Sequence, residues 1–226
     1  MLFSLLLHML IMSLRMVSIL IYDVSELTID LDGNTLTTGK LNGVFEGSNF
    51  IITNGTVDSG GASYSLWIGE NPTSNVVVDG VTVRGGINIY NASDVVLKNN
   101  TVNGNTYYAV WADSDTSGIE IQSGTYNGAA GMPAVRIGSK DADKVKVIGG
   151  KFSPELDDDY VSIPDDATVA VNPDGTITVI PAVAVAPAAS YSAPKTGDNT
   201  NIALQVSLVA MSAAAFVVLS KKARFN

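Results

Sequence analysis

Six segments of this chain share one pattern: apolar-x-apolar, a small or turn-forming pair, then threonine or lysine, then an apolar residue. They are Ile29–Leu36, Phe50–Val57, Val76–Val83, Val95–Val102, Ile119–Tyr126 and Val145–Phe152. The seventh position falls at 35, 56, 82, 101, 125 and 151, so the units are spaced by 21, 26, 19, 24 and 26 residues. Alternation with period two and β-branched enrichment predict strands, and Asp-Gly, Asn-Gly, Asn-Asn, Ser-Gly and Gly-Gly predict a turn at a constant offset in each unit. A unit of about twenty residues cannot bury its apolar face alone, but stacked units share one continuous core. The expected fold is all-β: a right-handed parallel β-helix of about six coils over residues 23–153, with a flat sandwich as the runner-up.

A further short strand is expected between these motifs in most coils: Ser65–Ile68, Gly86–Ile89, Ala109–Ala112 and Ala134–Ile137. Pleating sends alternate side chains to opposite faces. Leu66, Ile68, Ile87, Ile89, Val110, Val135 and Ile137 should therefore point inward, facing a column of Leu36, Val57, Val83, Val102, Tyr126 and Phe152. The outward positions of these short strands are Trp67, Asn88, Trp111 and Arg136, with Tyr90 and Asp113 one step further along. Both tryptophans of the chain lie here. Aromatic faces beside amide, acid and guanidinium groups suit stacking on sugar rings and bonding their hydroxyls, so these six residues are the candidate ligand face. The expected ligand is a glycan or a host surface. A second outward column, Ile51, Val77 and Val96, is apolar, which suits cover by a neighbouring segment, tolerated β-propensity or an association surface.

After Phe152 the pattern changes. Ala167–Val171 and Thr176–Val179 flank Asn172-Pro-Asp-Gly175, a turn signal that predicts a hairpin capping the lower edge within 154–180.

Composition narrows the chemistry. With no cysteine, a disulfide framework or thiolate metal site is ruled out. The single histidine, His8, sits in an apolar N-terminal stretch, leaving the predicted domain no imidazole for a triad, a general base or a metal. Residues 23–195 carry 21 acidic and nine basic side chains, a net charge of −12 that repels phosphate backbones and argues against a nucleic-acid partner. Asp113/Asp115, Asp141/Asp143 and Asp157–Asp159 lack calcium-loop spacing and read as solvated turn acids, the later ones facing Lys140, Lys144, Lys146 and Lys151. Catalytic residues, metal ligands and cofactors are therefore not assigned.

Both ends are apolar. Residues 1–22 are long enough for a signal peptide or N-terminal membrane anchor. At the other end a Pro/Ala linker (181–192) precedes the run Ala193, Pro194, Lys195, Thr196, Gly197, an apolar stretch over 202–219 and a basic tail, Lys221-Lys-Ala-Arg224. As a helix that apolar stretch is about 27 Å long, close to a hydrocarbon core of ~30 Å, and the basic tail would stay cytoplasmic.

This C-terminal order resembles the sorting signal of Gram-positive sortase substrates, LPXTG followed by an apolar span and a basic tail. Pro194, Thr196 and Gly197 fit the motif, Lys195 with Asp198 gives the frequent PKTGD form, and Ala193 stands where leucine is usual. The resemblance implies that residues 193–226 are a sorting signal and that a sortase recognises Ala193, Pro194, Lys195, Thr196 and Gly197, cuts between Thr196 and Gly197 and joins Thr196 to peptidoglycan. It also implies that the chain spans the membrane before that step and ends at the cell wall. The Gly149–Val161 stretch with the later Pro173–Val179 also looks like the GGxFS…DGTYxV endings of Firmicutes β-helix surface proteins. Pectate-lyase-like enzymes are similar in fold only. Those enzymes work in clefts walled by long loops, for which coils of 19 to 26 residues leave little, and neither a Gly-His-Gly nor an Arg-x-Lys signature occurs here. The expected function is thus a non-catalytic, wall-anchored surface protein, adhesin-like or structural. A polysaccharide lyase or glycoside hydrolase is the alternative.

Overall fold

In the computed structural model, residues 26–37, 41–43, 47–69 and 72–182 are described. They fall in the first of two compact units, Met1–Val183. The expected apolar helices at 1–22 and 202–219 and most of the linker lie outside the described residues, as do all five residues of the expected sortase motif, Ala193, Pro194, Lys195, Thr196 and Gly197. Among the described residues, no helix is long and apolar enough to cross a membrane.

The unit is a parallel β-solenoid. The first half of the repeat motif forms β1 (Leu27–Asp30), the start of β4 (Gly47–Asp58), the start of β6 (Thr73–Arg84), β8 (Ala92–Lys98), β11 (Ser117–Ile121) and β14 (Val145–Val147). Its second half forms β2 (Thr35–Thr37), the ends of β4 and β6, β9 (Asn100–Asn103), β12 (Gly124–Asn127) and β15 (Gly150–Ser153). Each strand pairs in parallel with its counterparts one repeat before and after. Between the halves the chain turns a corner on one or two residues with positive φ. Asp32 and Gly33 serve in the first coil, and Asn54 (59°), Gly80 (66°) and Asn99 (55°) in the next three. Glycine, asparagine and aspartate reach this left-handed region at least cost, which explains the turn pair at a constant offset.

The short strands stack as a second, five-stranded sheet: β3 (Leu41–Gly43), β5 (Tyr64–Ile68), β7 (Gly86–Ile89), β10 (Val110–Ala112) and β13 (Val135–Ile137). The large sheet has six rungs in each half and the small sheet five, so the solenoid completes about five turns. The expected sixth coil is incomplete. After β15 the repeat pattern gives way to Pro154 and the acidic stretch Asp157–Asp159, and among the described residues no strand joins the small sheet below β13.

The core lies between the two sheets. The predicted inward residues of β5, β7, β10 and β13 are essentially inaccessible, as are Val57, Val83, Val102, Tyr126 and Phe152 of the facing column. Each such aliphatic contributes about 1.5–3 kcal/mol of burial before entropy. The Tyr126 and Phe152 rings stack at 5.4 Å. Among the buried polar residues, Asn100 bridges coils. Asn100 donates from Nδ2 to the Val78 carbonyl (2.9 Å) and accepts at Oδ1 from the Val81 amide (2.9 Å), pinning two coils at their corner.

Below β15 the chain folds back. Ser162 bonds to the backbone of β14 at both its amide and its carbonyl, so Tyr160 and Val161 close the core under that strand. Then β16 (Thr168–Val171) and β17 (Ile177–Ile180) form an antiparallel hairpin, and β17 pairs antiparallel with β15. This covers strand edges that would otherwise offer unpaired amides and carbonyls.

Candidate functional site

The outward residues of the small sheet stand in strict register. Trp67 of β5 pairs with Asn88 of β7, Asn88 with Trp111 of β10, and Trp111 with Arg136 of β13. Their inward neighbours are fully buried, so this row projects away from the core at one residue per rung of about 4.8 Å. Beyond the strand ends lie Tyr90, 40% exposed, and Asp113, half-buried. Their amides continue the ladder onto the carbonyls of Ile68 and Ile89 (both 2.8 Å).

Two members of the predicted row differ from expectation. Asn88 is not an exposed amide: it is 7% exposed, and its Oδ1 is closed off with no hydrogen-bond partner among the described residues. Its neighbours one rung above and below are indoles, and a short side chain between two long ones is overshadowed. Arg136 is already engaged, its guanidinium 3.8 Å from the ring centroid of Tyr160. Lys140 approaches the same ring at 5.7 Å and pairs with Asp159.

Three further aromatics belong to this face and were not visible in the repeat. Tyr64 meets Trp67 edge-on at 6.3 Å and stacks with Tyr107 at 6.3 Å. Tyr107 continues to Tyr108 at 6.5 Å, and Tyr108 stacks on Trp111 at 5.5 Å with 23° between planes. A wall of five rings thus runs from one indole to the other. Two glycines permit it. A Cβ on Gly86 would strike the Tyr64 ring at 2.6 Å, and one on Gly104 would strike the Tyr107 carbonyl at 2.7 Å. Asn105 ties the loop carrying Tyr107 to the loop two coils above through the Ala62 carbonyl (3.1 Å). The signal that would have found these rings is Tyr107-Tyr108 directly ahead of β10 and Tyr64 three residues before Trp67. Burial, reinforced by repulsion from Tyr108 and Tyr107, pushes the Tyr64 phenol well above its ordinary pKa, so it stays protonated as a donor.

At the other end of the row Asp113 holds its own turn, accepting from the Ser114 amide (2.8 Å) while its carbonyl accepts from Thr116 Oγ1 (2.6 Å). Gly138, one coil below, leaves a notch here. A Cβ there would touch Asp113 Oδ1 at 3.4 Å and the Trp111 indole at 3.5 Å. A ring, a carboxylate and an open space therefore converge. The face can stack against the C–H side of a sugar and accept from its hydroxyls.

Elsewhere, the second outward column of Ile51, Val77 and Val96 is the floor of an open groove of about 540 Å³, rimmed by Asn49, Asn75, Asp94, Gly118 and Glu120. The oxygens of Asp157, Asp158 and Asp159 lie within 4.8 Å of one another. Of the four lysines expected to face acids, Lys140, Lys144 and Lys151 pair with Asp159, Asp141 and Asp174. Lys146 stands in register with Glu120, whose carboxylate accepts from Gln122. Compared with protein-family models, curated proteins and solved structures, the chain matches none.

Proposed function

We propose that this chain is a non-catalytic surface protein of a Gram-positive bacterium that displays a glycan-binding face on a solenoid held at the cell wall. The observation that carries the binding half is the register of Trp67, Asn88 and Trp111, two indoles flanking an amide at single-rung spacing. The display half rests on the order of the C-terminal features in the sequence: linker, the motif Ala193-Pro194-Lys195-Thr196-Gly197, apolar run 202–219, basic tail. In this reading residues 1–22 direct export, 202–219 span the membrane until a sortase acts, and Thr196 is joined to peptidoglycan. The solenoid winds in the right-handed sense. Acidic residues dominate 23–195, which suits solubility outside the cell and not nucleic-acid binding.

Two experiments test the two halves. Mass spectrometry of wall digests should reveal a peptide ending at Thr196 with a stem-peptide adduct, and recovery of only uncut chain would remove the anchoring half. On a glycan array that gives a hit with the full chain, Trp67→Ala and Trp111→Ala should abolish it; unchanged binding would remove this face. Reproducible depolymerisation of any polysaccharide by the purified full chain would replace the non-catalytic reading with the lyase or hydrolase alternative.

A further inference from the structure

Resting on the glycan reading above, we infer that the face takes a sugar chain free of carboxylate, sulfate or phosphate, and that Asn88 reads one of its hydroxyls.

Three observations lead there. Two acceptors stand along the row. Asn88 Oδ1 is buried with no partner among the described residues, and Asp113 presents its carboxylate beside the Gly138 notch. An anionic sugar would set one acceptor against another, whereas a hydroxyl donates to either. The row's own cation, Arg136, lies over the Tyr160 ring, and Lys140, three residues beyond β13, pairs with Asp159. Finally, the long-range field is repulsive to anions, since residues 23–195 carry 21 acidic against nine basic side chains. The closed position of Asn88 Oδ1 sharpens the point. A buried acceptor without a partner destabilises the free protein, and a donor entering between the ring edges would relieve it.

The test uses the full chain in detergent micelles and two sets of hexasaccharide probes. Cellohexaose, chitohexaose and maltohexaose are the neutral set; hexagalacturonate, a hyaluronan hexasaccharide and a heparin hexasaccharide are the acidic set. At least one neutral probe should bind tenfold or more tightly than every acidic one, with an affinity unchanged when salt is raised. Asn88→Leu should act with opposite signs: Tm rises by roughly 2–4 °C as the orphaned acceptor is removed, and affinity for the neutral probe falls at least tenfold. A purely structural Asn88 would not lose binding while gaining stability. If an acidic probe binds most tightly and Trp67→Ala still abolishes it, the charge inference is overturned and the indole face survives. If no probe of either set binds, the glycan reading itself is overturned. Unchanged affinity in Asn88→Leu overturns the role of Asn88. The probe comparison needs only the unaltered chain, so it stands whether or not the variant folds.

Discussion

Two outward rows of this solenoid are built by the same parallel pairing and look nothing alike. On the second half of the large sheet Thr35, Thr56, Thr82, Thr101 and Thr125 follow one another rung by rung, ending at Lys151. On the small sheet the row reads Trp67, Asn88, Trp111, Arg136. Threonine is β-branched, its hydroxyl is content in water, and it suits a half-exposed pleated surface, so an outward row serving only the fold repeats it. The other row changes residue at each rung, spends both tryptophans of the chain and leaves a buried acceptor unmet. Repetition marks what stacking needs, and departure from it marks where something other than stacking set the residue.

The contrast holds only if stability resides in the interior and not in either outward row. The largest effect should therefore come from Tyr126→Ala, which removes a fully buried ring stacked on Phe152. It should cost about 3–5 kcal/mol in denaturant unfolding, and a loss near that of a surface change would break the comparison. Next comes Asn100→Leu, which strands the Val81 amide and the Val78 carbonyl. About 2–3 kcal/mol should be lost, read by the same unfolding curves and by faster hydrogen exchange at Val81. Trp111→Ala should weaken binding of whichever sugar the face takes at least tenfold, about 1.4 kcal/mol; calorimetric titration giving the native affinity would erase the distinction between the rows.

A smaller effect lies in the cap. The Thr176 hydroxyl and amide, then Lys151, hold the Asp174 carboxyl at about 2, below its ordinary 3.8. A depressed folded-state value stabilises above pH 3.8, and that contribution fades as pH falls through about 2. Asp174→Ala should flatten the acid limb of a Tm-against-pH profile in that window, and a profile of unchanged slope would show the turn to be held by Asn172 and Gly175 alone. Smallest of all, Thr82→Val should move stability by no more than about 0.5 kcal/mol and leave sugar binding untouched. A binding defect there would mean that the repeated row is functional too.

The solenoid was legible because its causes are local and recur. The alternation of Val76, Val78 and Val83, the corner at Asp79-Gly80 and their echoes about twenty residues on each report the same requirement, and a single sequence contains several copies of it. The register of Trp67, Asn88 and Trp111 followed from the same periodicity. The state of those side chains did not. Asn88 is buried because indoles stand one rung away on either side, and whether Arg136 is free depends on Tyr160 in the cap, 24 residues later. Tyr64, Tyr107 and Tyr108 sit at or beyond the ends of the short strands, where the repeat does not constrain position. Tyr107 reaches Tyr64 only because Asn105 fastens one loop to another 43 residues back. Periodicity reports what faces the core, while contacts among loops of neighbouring coils depend on three-dimensional stacking that no short window contains.

The antiparallel return of β17 onto β15 also decides where such a rod can lengthen. The lower edge is spoken for, so a duplicated unit is accommodated between existing rungs and not beneath them. Each duplication would add about 4.8 Å of height with the same lateral pairing. Descendants of such a chain would differ in stature by whole steps while keeping an identical foot.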